Sequence, residues 1–451
     1  MHKILLLVLL IFINLYSKTF NFDEVLEETL KNNKKIKLQK LNLKSVNSDI
    51  EKVKSFSYGE LNFVNELSRT NHAGYVFNSK LSSREASFKD FGFSQFGQPI
   101  NTQPSDLNYP KDRNNFNSKI TYDIPLFTGF QLSNQEEILK LKHKAELFQL
   151  NLDKKSLEFE VLKAYNGAIV AKEFIKAVKK AKKTIKQVVI SADEFYKEGY
   201  VTKIDVKQAK VHQLNIQSKL TEAENRFSLA LAYLKFLTSN DNIDDVKDLK
   251  IVKFQDKDLK KLYTQALNTR DDLKMVEEYK KGMKKNIDLN KSSYYPKVYS
   301  HLEYGVNDGV VDFNEDKDYY MALLGVKITL FDASRKYDVQ KSKIEFNKTV
   351  LKQNQLEDAI KLQLQQSILN FQTKQKIYKE KIEALQLSNE VLDQSKQMYK
   401  NRLISMIDLL KQETLYRQTE ASMLNAKYET TIALGKLYLA IGKSLNEKGN
   451  L

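Results

Sequence analysis

The 451-residue chain has no cysteine and no tryptophan. Without cysteine there are no disulfides, thiolate metal ligands, cysteine nucleophiles or N-terminal lipid-modified cysteine. An exported form of the chain must therefore be held by packing or assembly. Proline is scarce: Pro99, Pro104, Pro110, Pro125 and Pro296 are the only five, and none falls within 126–295 or 297–451. Because proline is the strongest helix breaker, both intervals are open to uninterrupted helix. Long apolar runs are also lacking. The one at the start, Ile4 to Leu15, is shorter than the ~18–20 residues that span a bilayer. With His2 and Lys3 before it and Tyr16-Ser17 after it, this run reads as a secretory signal of residues 1–17, cut ahead of Lys18. The mature chain is expected to have no membrane helix.

Histidines are few and scattered (His2, His72, His143, His212, His301), with no metal-ligand spacing. No Gly-rich phosphate loop or nucleophile elbow accompanies them, so no catalytic residue, cofactor or metal is expected. His143 and His212 read as surface or packing residues, and His301 as a residue of a polar strand face. The net charge of +16 and pI near 9.3 would raise nucleic-acid binding in a cytosolic protein. Export argues against that, and most lysines sit on helix-like stretches beside acidic residues. Even the basic stretch Lys172 to Lys186 keeps Phe174, Ile175, Val178, Ala181 and Ile185 at helical spacing, as a solvated helix face does.

The chain is internally duplicated. Phe195-Tyr196-Lys197-Glu198-Gly199-Tyr200-Val201-Thr202-Lys203-Ile204-Asp205-Val206 recurs about 203 residues later as Met398-Tyr399-Lys400-Asn401-Arg402-Leu403-Ile404-Ser405-Met406-Ile407-Asp408-Leu409. Tyr122-Asp123-Ile124-Pro125-Leu126-Phe127 likewise matches Val326-Lys327-Ile328-Thr329-Leu330-Phe331 at about 204. A long-period repeat sets the architecture: repeats over 18–248 and 249–442, with a tail at 443–451. Apolar spacing of three and four predicts helices over ~22–55, ~131–197, ~201–238, ~257–292, ~333–400 and ~404–442. Two of these approach 67 residues, about 100 Å at 1.5 Å per residue. Such helices must lie side by side in a coiled-coil-like assembly, each long one beside two short ones, as in a rod or tube wall.

Four segments alternate instead with period two: ~57–69, Phe116 to Leu126, Tyr294 to Val306 and Tyr320 to Leu330. Apolar on one side and polar on the other, they suit strands between lipid and water, or equally a soluble sandwich. Phe and Tyr crowd their ends, as in an interfacial girdle. Four strands cannot close a membrane barrel, and an open edge in lipid is forbidden, so a membrane location would require several chains to pool strands. Thr70 to Asn115, rich in Gly, Asn, Ser and Phe, is the candidate exposed loop.

The order signal, strand pair, long helix, turn, short helix, with all but the signal duplicated, resembles the TolC-like family of outer-membrane efflux proteins. Ile124-Pro125-Leu126-Phe127-Thr128-Gly129 and Leu330-Phe331-Asp332 resemble that family's strand-to-helix junctions, and the two turn segments resemble its periplasmic tips. The resemblance implies a mostly α fold with membrane β: a homotrimer with a shared 12-stranded β-barrel above a periplasmic α-helical tunnel. It implies a passive exit duct in the outer membrane of a Gram-negative bacterium, serving an inner-membrane pump through a periplasmic adaptor, in efflux or type I secretion. The alternative is a secreted periplasmic coiled-coil adaptor or structural interaction protein. An adaptor, however, has one helical hairpin flanked by β domains.

At the tip, the resemblance implies a closing network. Asp205 and Tyr399 occupy positions of the family's Asp–Tyr contact between neighbouring helix pairs, and Asp408 that of its first acidic ring. The second ring position carries Lys411, and the gate arginine position carries Ile404, with Arg402 nearby but off register. Asp205 and Asp408 also suit N-caps of the helices that follow. Gly199-Tyr200-Val201-Thr202 and Arg402-Leu403-Ile404-Ser405 are the expected adaptor-docking turns. Gly199 suits a backbone with φ > 0, and Arg402 in its place predicts that the two turns need not share one conformation.

Overall fold

The computed structural model describes residues 19–247, 258–311 and 315–445. The expected signal peptide lies outside the described residues. The chain forms two compact units, and both repeats contribute to each. One takes in the described residues up to Asn42, Glu146–Val276 and Lys352 onward; the other is Leu43–Ala145 with Glu277–Leu351.

The first unit is helical. Its main elements are α1 (Phe22–Asn32), the distal part of α5 (Gln131–Lys197), α6 (Lys203–Thr238), α7 (Leu259–Thr269), the distal part of α9 (Ser334–Lys400) and α10 (Met406–Ile441). Helices α5 and α9 each have 67 residues, and α6 and α10 each have 36. The duplication thus extends to element length. Val161, Leu162, Tyr165, Ala168, Leu234, Leu237, Leu434, Leu437 and Ile441 are buried in this unit. Two short strands that periodicity could not reveal, β1 (Thr19–Phe20) and β4 (Asp245–Val246), pair in parallel there. The Tyr165 hydroxyl lies 2.9 Å from the Phe20 carbonyl and 2.8 Å from that of Lys247, and accepts the Lys247 N–H. The phenol therefore satisfies the backbone of two segments far apart in sequence.

The expected helices ~22–55 and ~257–292 are each broken after one 11-residue segment: α1 gives way to α2 (Lys34–Ser55) at Asn33, and α7 to α8 (Asp271–Lys291) at Arg270. At both breaks the side chain has a use elsewhere. Asn33 Nδ2 donates to the Leu237 carbonyl at 2.8 Å, and Arg270 Nη1 to the Ala440 carbonyl at 2.9 Å. Each break thus satisfies a last-turn carbonyl of its own repeat's terminal helix, a group no helix can satisfy internally. Those helices end alike, with Ser239 after α6 and Gly442 after α10, both left-handed.

The second unit holds a four-stranded antiparallel sheet in the order β2 (Glu60–Thr70), β3 (Arg113–Phe127), β5 (Lys297–Asp308) and β6 (Asp318–Lys327). All four expected strands are present with shifted bounds. Phe56–Tyr58 is a helical turn before Gly59, β3 and β5 run further at their loop ends, and Ile328–Phe331 lies beyond β6. Register aligns residues of one kind into rows across the sheet. Phe63 faces Ile120, Ile120 faces Tyr304 and Tyr304 faces Tyr320; Leu61, Tyr122, Leu302 and Ala322 form the next row. This apolar face is bare: Phe63 is 67% exposed and Tyr320 84%. On the opposite face the polar side chains bond to each other. His301 Nδ1 lies 2.7 Å from Asp123, while Glu303 accepts from Lys119 at 3.1 Å and from the Tyr319 hydroxyl at 2.7 Å. An apolar face left to the surroundings and an opposite face with polar side chains bonded across strands form the pattern of a barrel wall between lipid and water.

The loop between β2 and β3 is ordered, with α3 (Ala73–Ser82), α4 (Ser105–Asn108) and short helical turns. Arg84 donates to the Asp318 carbonyl at 2.6 Å. Lys317 joins Glu85 (2.6 Å) and Asp308 (2.7 Å), tying the loop to the β5–β6 connection.

Candidate functional site: the paired helix turns

Helix α5 ends at Lys197 and α6 begins at Lys203; α9 ends at Lys400 and α10 begins at Met406. The two turns between them are built identically. After α5, Gly199 has φ 74, its N–H donates to the Tyr196 carbonyl, and the Tyr200 N–H to that of Phe195. After α9, Arg402 has φ 62, with its N–H on Tyr399 and the Leu403 N–H on Met398. Both are left-handed helix terminations that satisfy last-turn carbonyls. This corrects the expectation that Arg402 frees the second turn to differ. A non-glycine residue there costs roughly 1–2 kcal/mol, and the Arg402 side chain offsets part of it. Its guanidinium lies 3.6 Å from the centroid of the Tyr200 ring on the other turn, a cation–π contact of roughly 0.5–2 kcal/mol. Phe195 continues the stack, 6.5 Å from Tyr200 and 5.9 Å from Tyr399.

The helices that follow start alike as well. Thr202 and Ser405 are N-caps in capping boxes with Asp205 and Asp408. Asp205 Oδ2 accepts from the Thr202 N–H (2.8 Å) and hydroxyl (2.7 Å), and Asp408 Oδ2 from the Ser405 hydroxyl (2.5 Å). The Ser405 hydroxyl and N–H hold the Asp408 carboxyl below its usual range, and Lys411 adds to this. Each box satisfies orphan N–H groups at a helix start.

No hydrogen bond joins Asp205 to Tyr399 within the chain. Tyr399 is 7% exposed, packed with Ala192, Val206, Ala209, Leu392 and Met406, and its hydroxyl has no hydrogen-bond partner. Burial, and then the charge of Asp205, pushes the phenol up to about 12. Asp205 therefore lies within electrostatic reach of Tyr399, whose hydroxyl is buried and unpaired. The apolar tip residues point outward: Tyr200, Ile204, Leu403 and Ile407 are all more than half exposed. Ile404 instead packs on the core around Tyr399, and Lys411 is exposed.

Sequence reading missed an ionic cluster further along the same helices. Glu413 is buried at 3% exposure, with Oε2 2.9 Å from His212 Nε2 and Oε1 accepting from Arg417 Nε at 2.8 Å. Arg417 also donates to Glu420 at 2.7 Å. Burial alone would raise the Glu413 carboxyl, but the bonds from His212 and Arg417 outweigh it and the net shift is downward. His212 is thus part of an ion network linking α6 to α10 rather than a surface residue. The i, i+4 spacing of Glu413 and Arg417 was visible in the sequence; the partner 201 positions away was not.

Residues 262–443, in the second repeat, match the model of a family described as Outer membrane efflux protein. No curated protein matches the chain. Several solved structures do share its fold. The Campylobacter jejuni CmeC outer membrane channel is 16% identical, with a TM-score of 0.76 over 93% of this chain and 85% of that one. The outer membrane protein VceC of Vibrio cholerae is 13% identical, with a TM-score of 0.73 over 94% and 96%. The open-state MtrE outer membrane channel of Neisseria gonorrhoeae is 14% identical, with a TM-score of 0.72 over 94% and 89%. An outer membrane efflux protein fold thus covers both repeats. An adaptor with a single hairpin is not what the chain forms, since α5–α6 and α9–α10 are two hairpins. Among the described residues no helix is long and apolar enough to cross a membrane.

Proposed function

We propose that the protein is the outer-membrane exit duct of a tripartite efflux or type I secretion system: a homotrimer that conducts passively and closes at its helix turns. One observation carries the reading. The four-stranded sheet has one bare apolar face, an opposite face on which His301, Asp123, Glu303, Lys119 and Tyr319 bond to one another, and outer edges on β2 and β6 that pair with no strand among the described residues. In lipid, unpaired edges are untenable, so copies of the chain must complete the barrel; three copies give the twelve strands of the family. The helical unit then lies in the periplasm, where the exposed Tyr200, Ile204, Leu403 and Ile407 form the docking surface for a periplasmic adaptor that leads to an inner-membrane pump.

Closure rests on the Tyr399 hydroxyl and the Asp205 charge. A small movement of α9 against α6 forms a charge-assisted bond, worth roughly 1.5–3 kcal/mol, and three copies close a gate that adaptor docking can open. Density-gradient fractionation with cross-linking tests the assembly. A trimer in the outer-membrane fraction is expected, and a soluble monomer contradicts it.

A further inference from the structure

We propose that the groove where the sheet gives way to the helices of its own unit binds a phospholipid headgroup of phosphoethanolamine chemistry. The proposal rests on the membrane placement above and adds a ligand to it. Two connections meet here, β3 to α5 through Thr128–Phe130 and α8 to β5 through Ser292–Pro296. They approach so closely that a Cβ on Gly129 (φ 65) would lie 2.8 Å from the Ser292 carbonyl oxygen and 3.0 Å from Tyr295 Cβ. Phe130 follows at φ 67, a left-handed conformation that any side chain with a Cβ resists. Strain of this kind gathers at ligand clamps and active sites.

The strained backbone aims the ring. Phe130 stands edge-on to Phe127 (5.1 Å, 90°) and to Tyr295 (5.3 Å, 88°). Register explains the direction of this aromatic wall. Between Pro125 and Phe127 the ladder slips by one residue, so Phe127 pairs with Val298, on the face that carries Leu302 and Tyr304. A bulge re-aims a side chain in this way. The wall therefore continues the apolar face of the sheet to its helix-side end.

Beside it opens a cavity of about 530 Å³, lined by Phe130, Tyr295, Glu137, Lys285, Asp288 and Lys291 among others. Lys291 pairs with Asp288 at 3.5 Å. Among the described residues the side chains of Lys285 and Glu137 have no ion pair or hydrogen bond. A groove with one free charge of each sign suits neither a simple anion, which Glu137 repels, nor a simple cation, which Lys285 repels. A zwitterion answers both: its phosphate meets the Lys285 ammonium, and its own ammonium meets the Glu137 carboxylate and the ring faces of Phe130 and Tyr295. Acyl chains attached to that headgroup would run onto the apolar sheet face. The volume lies in the usual range for small-molecule sites.

The test is native mass spectrometry of the purified full-length protein in detergent, titrated with phosphatidylethanolamine, phosphatidylglycerol or soluble glycerophosphoethanolamine. Flotation of the same protein with vesicles of the two lipids runs alongside it. Wild type is expected to retain phosphatidylethanolamine over phosphatidylglycerol. Lys285→Gln should lower occupancy by both lipids roughly tenfold, the loss of one charged hydrogen bond. Glu137→Gln leaves the groove net positive and should invert the preference, an outcome no purely structural role for Glu137 predicts. Lys111→Gln, in the β2–β3 loop, should change nothing. Flotation without lipid preference, or equal losses in all variants, overturns the site and leaves the channel standing. Binding of glycerophosphoethanolamine as tight as that of the lipid overturns the membrane source of the ligand. No flotation at all overturns the membrane placement and the site with it.

Discussion

Removing the Glu413 carboxylate isolates the most buried ionic cluster described between α6 and α10. Its two oxygens are taken by His212 at 2.9 Å and Arg417 at 2.8 Å. Glu413→Ala leaves the Arg417 guanidinium, itself only 13% exposed at the side chain, with Glu420 as its one remaining carboxylate. Breaking a buried pair by deleting one partner costs roughly 3–5 kcal/mol, because the surviving charge stays desolvated. Glu413→Gln keeps shape and one acceptor and should lose less, roughly 1–3 kcal/mol. The pH dependence follows in sign. The folded carboxyl is held below its ordinary value near 4.5, so the unfolded state takes up its proton first as pH falls. The cluster's stabilisation is complete above about pH 5 and is lost on acidification. Urea unfolding of the purified protein, followed by far-UV circular dichroism at pH 7 and pH 4, should show the wild-type midpoint dropping and the Glu413→Gln midpoint dropping less. Equal pH sensitivity in the two proteins, or a wild-type midpoint for Glu413→Ala at pH 7, would refute the assignment.

Gly442→Ala should destabilise by roughly 1–2 kcal/mol. Its φ of 83 disfavours any side chain, and the new Cβ would lie 3.0 Å from Arg270 Cα; thermal unfolding reads this out. Arg402→Ala keeps the left-handed backbone and loses the ring contact with Tyr200, so it should cost roughly 0.5–2 kcal/mol. Arg402→Gly relieves the backbone as well and should lie closer to wild type. Tyr399→Phe removes a buried hydroxyl that has no partner within the chain, so the isolated chain should be no less stable. Combined with Asp205→Ala it should raise resting conductance, since both halves of the proposed gate bond are gone.

The long helices were legible because proline is absent from 126–295 and 297–451 and because the duplicated turns fixed both ends. The strands were legible from alternation, but their ends were not. Arg113–Asn115 and Asn307–Asp308 are polar residues that join the ladder because the loop packs on them. The breaks at Asn33 and Arg270 were invisible because their cause lies at Leu237 and Ala440, on helices far along the chain. Asp205 and Asp408, expected as N-caps, are instead the third residues of α6 and α10: Thr202 and Ser405 are the caps, and the aspartates close the boxes by accepting from them. The left-handed Arg402 was not legible, because a glycine at the matching position of the first repeat suggested a difference, whereas the Tyr200 ring beneath the guanidinium supplies the compensation. His212 was read as a surface or packing residue because its partner, Glu413, belongs to the other repeat.

Single-channel conductance of the purified mature protein in a planar lipid bilayer tests the central claim most directly. A small, discrete conductance, closed most of the time and raised when Asp205 and Tyr399 are replaced together, is the predicted result. Folded protein that neither inserts nor conducts would contradict a pooled-strand channel and leave the bare apolar face of the sheet without an explanation.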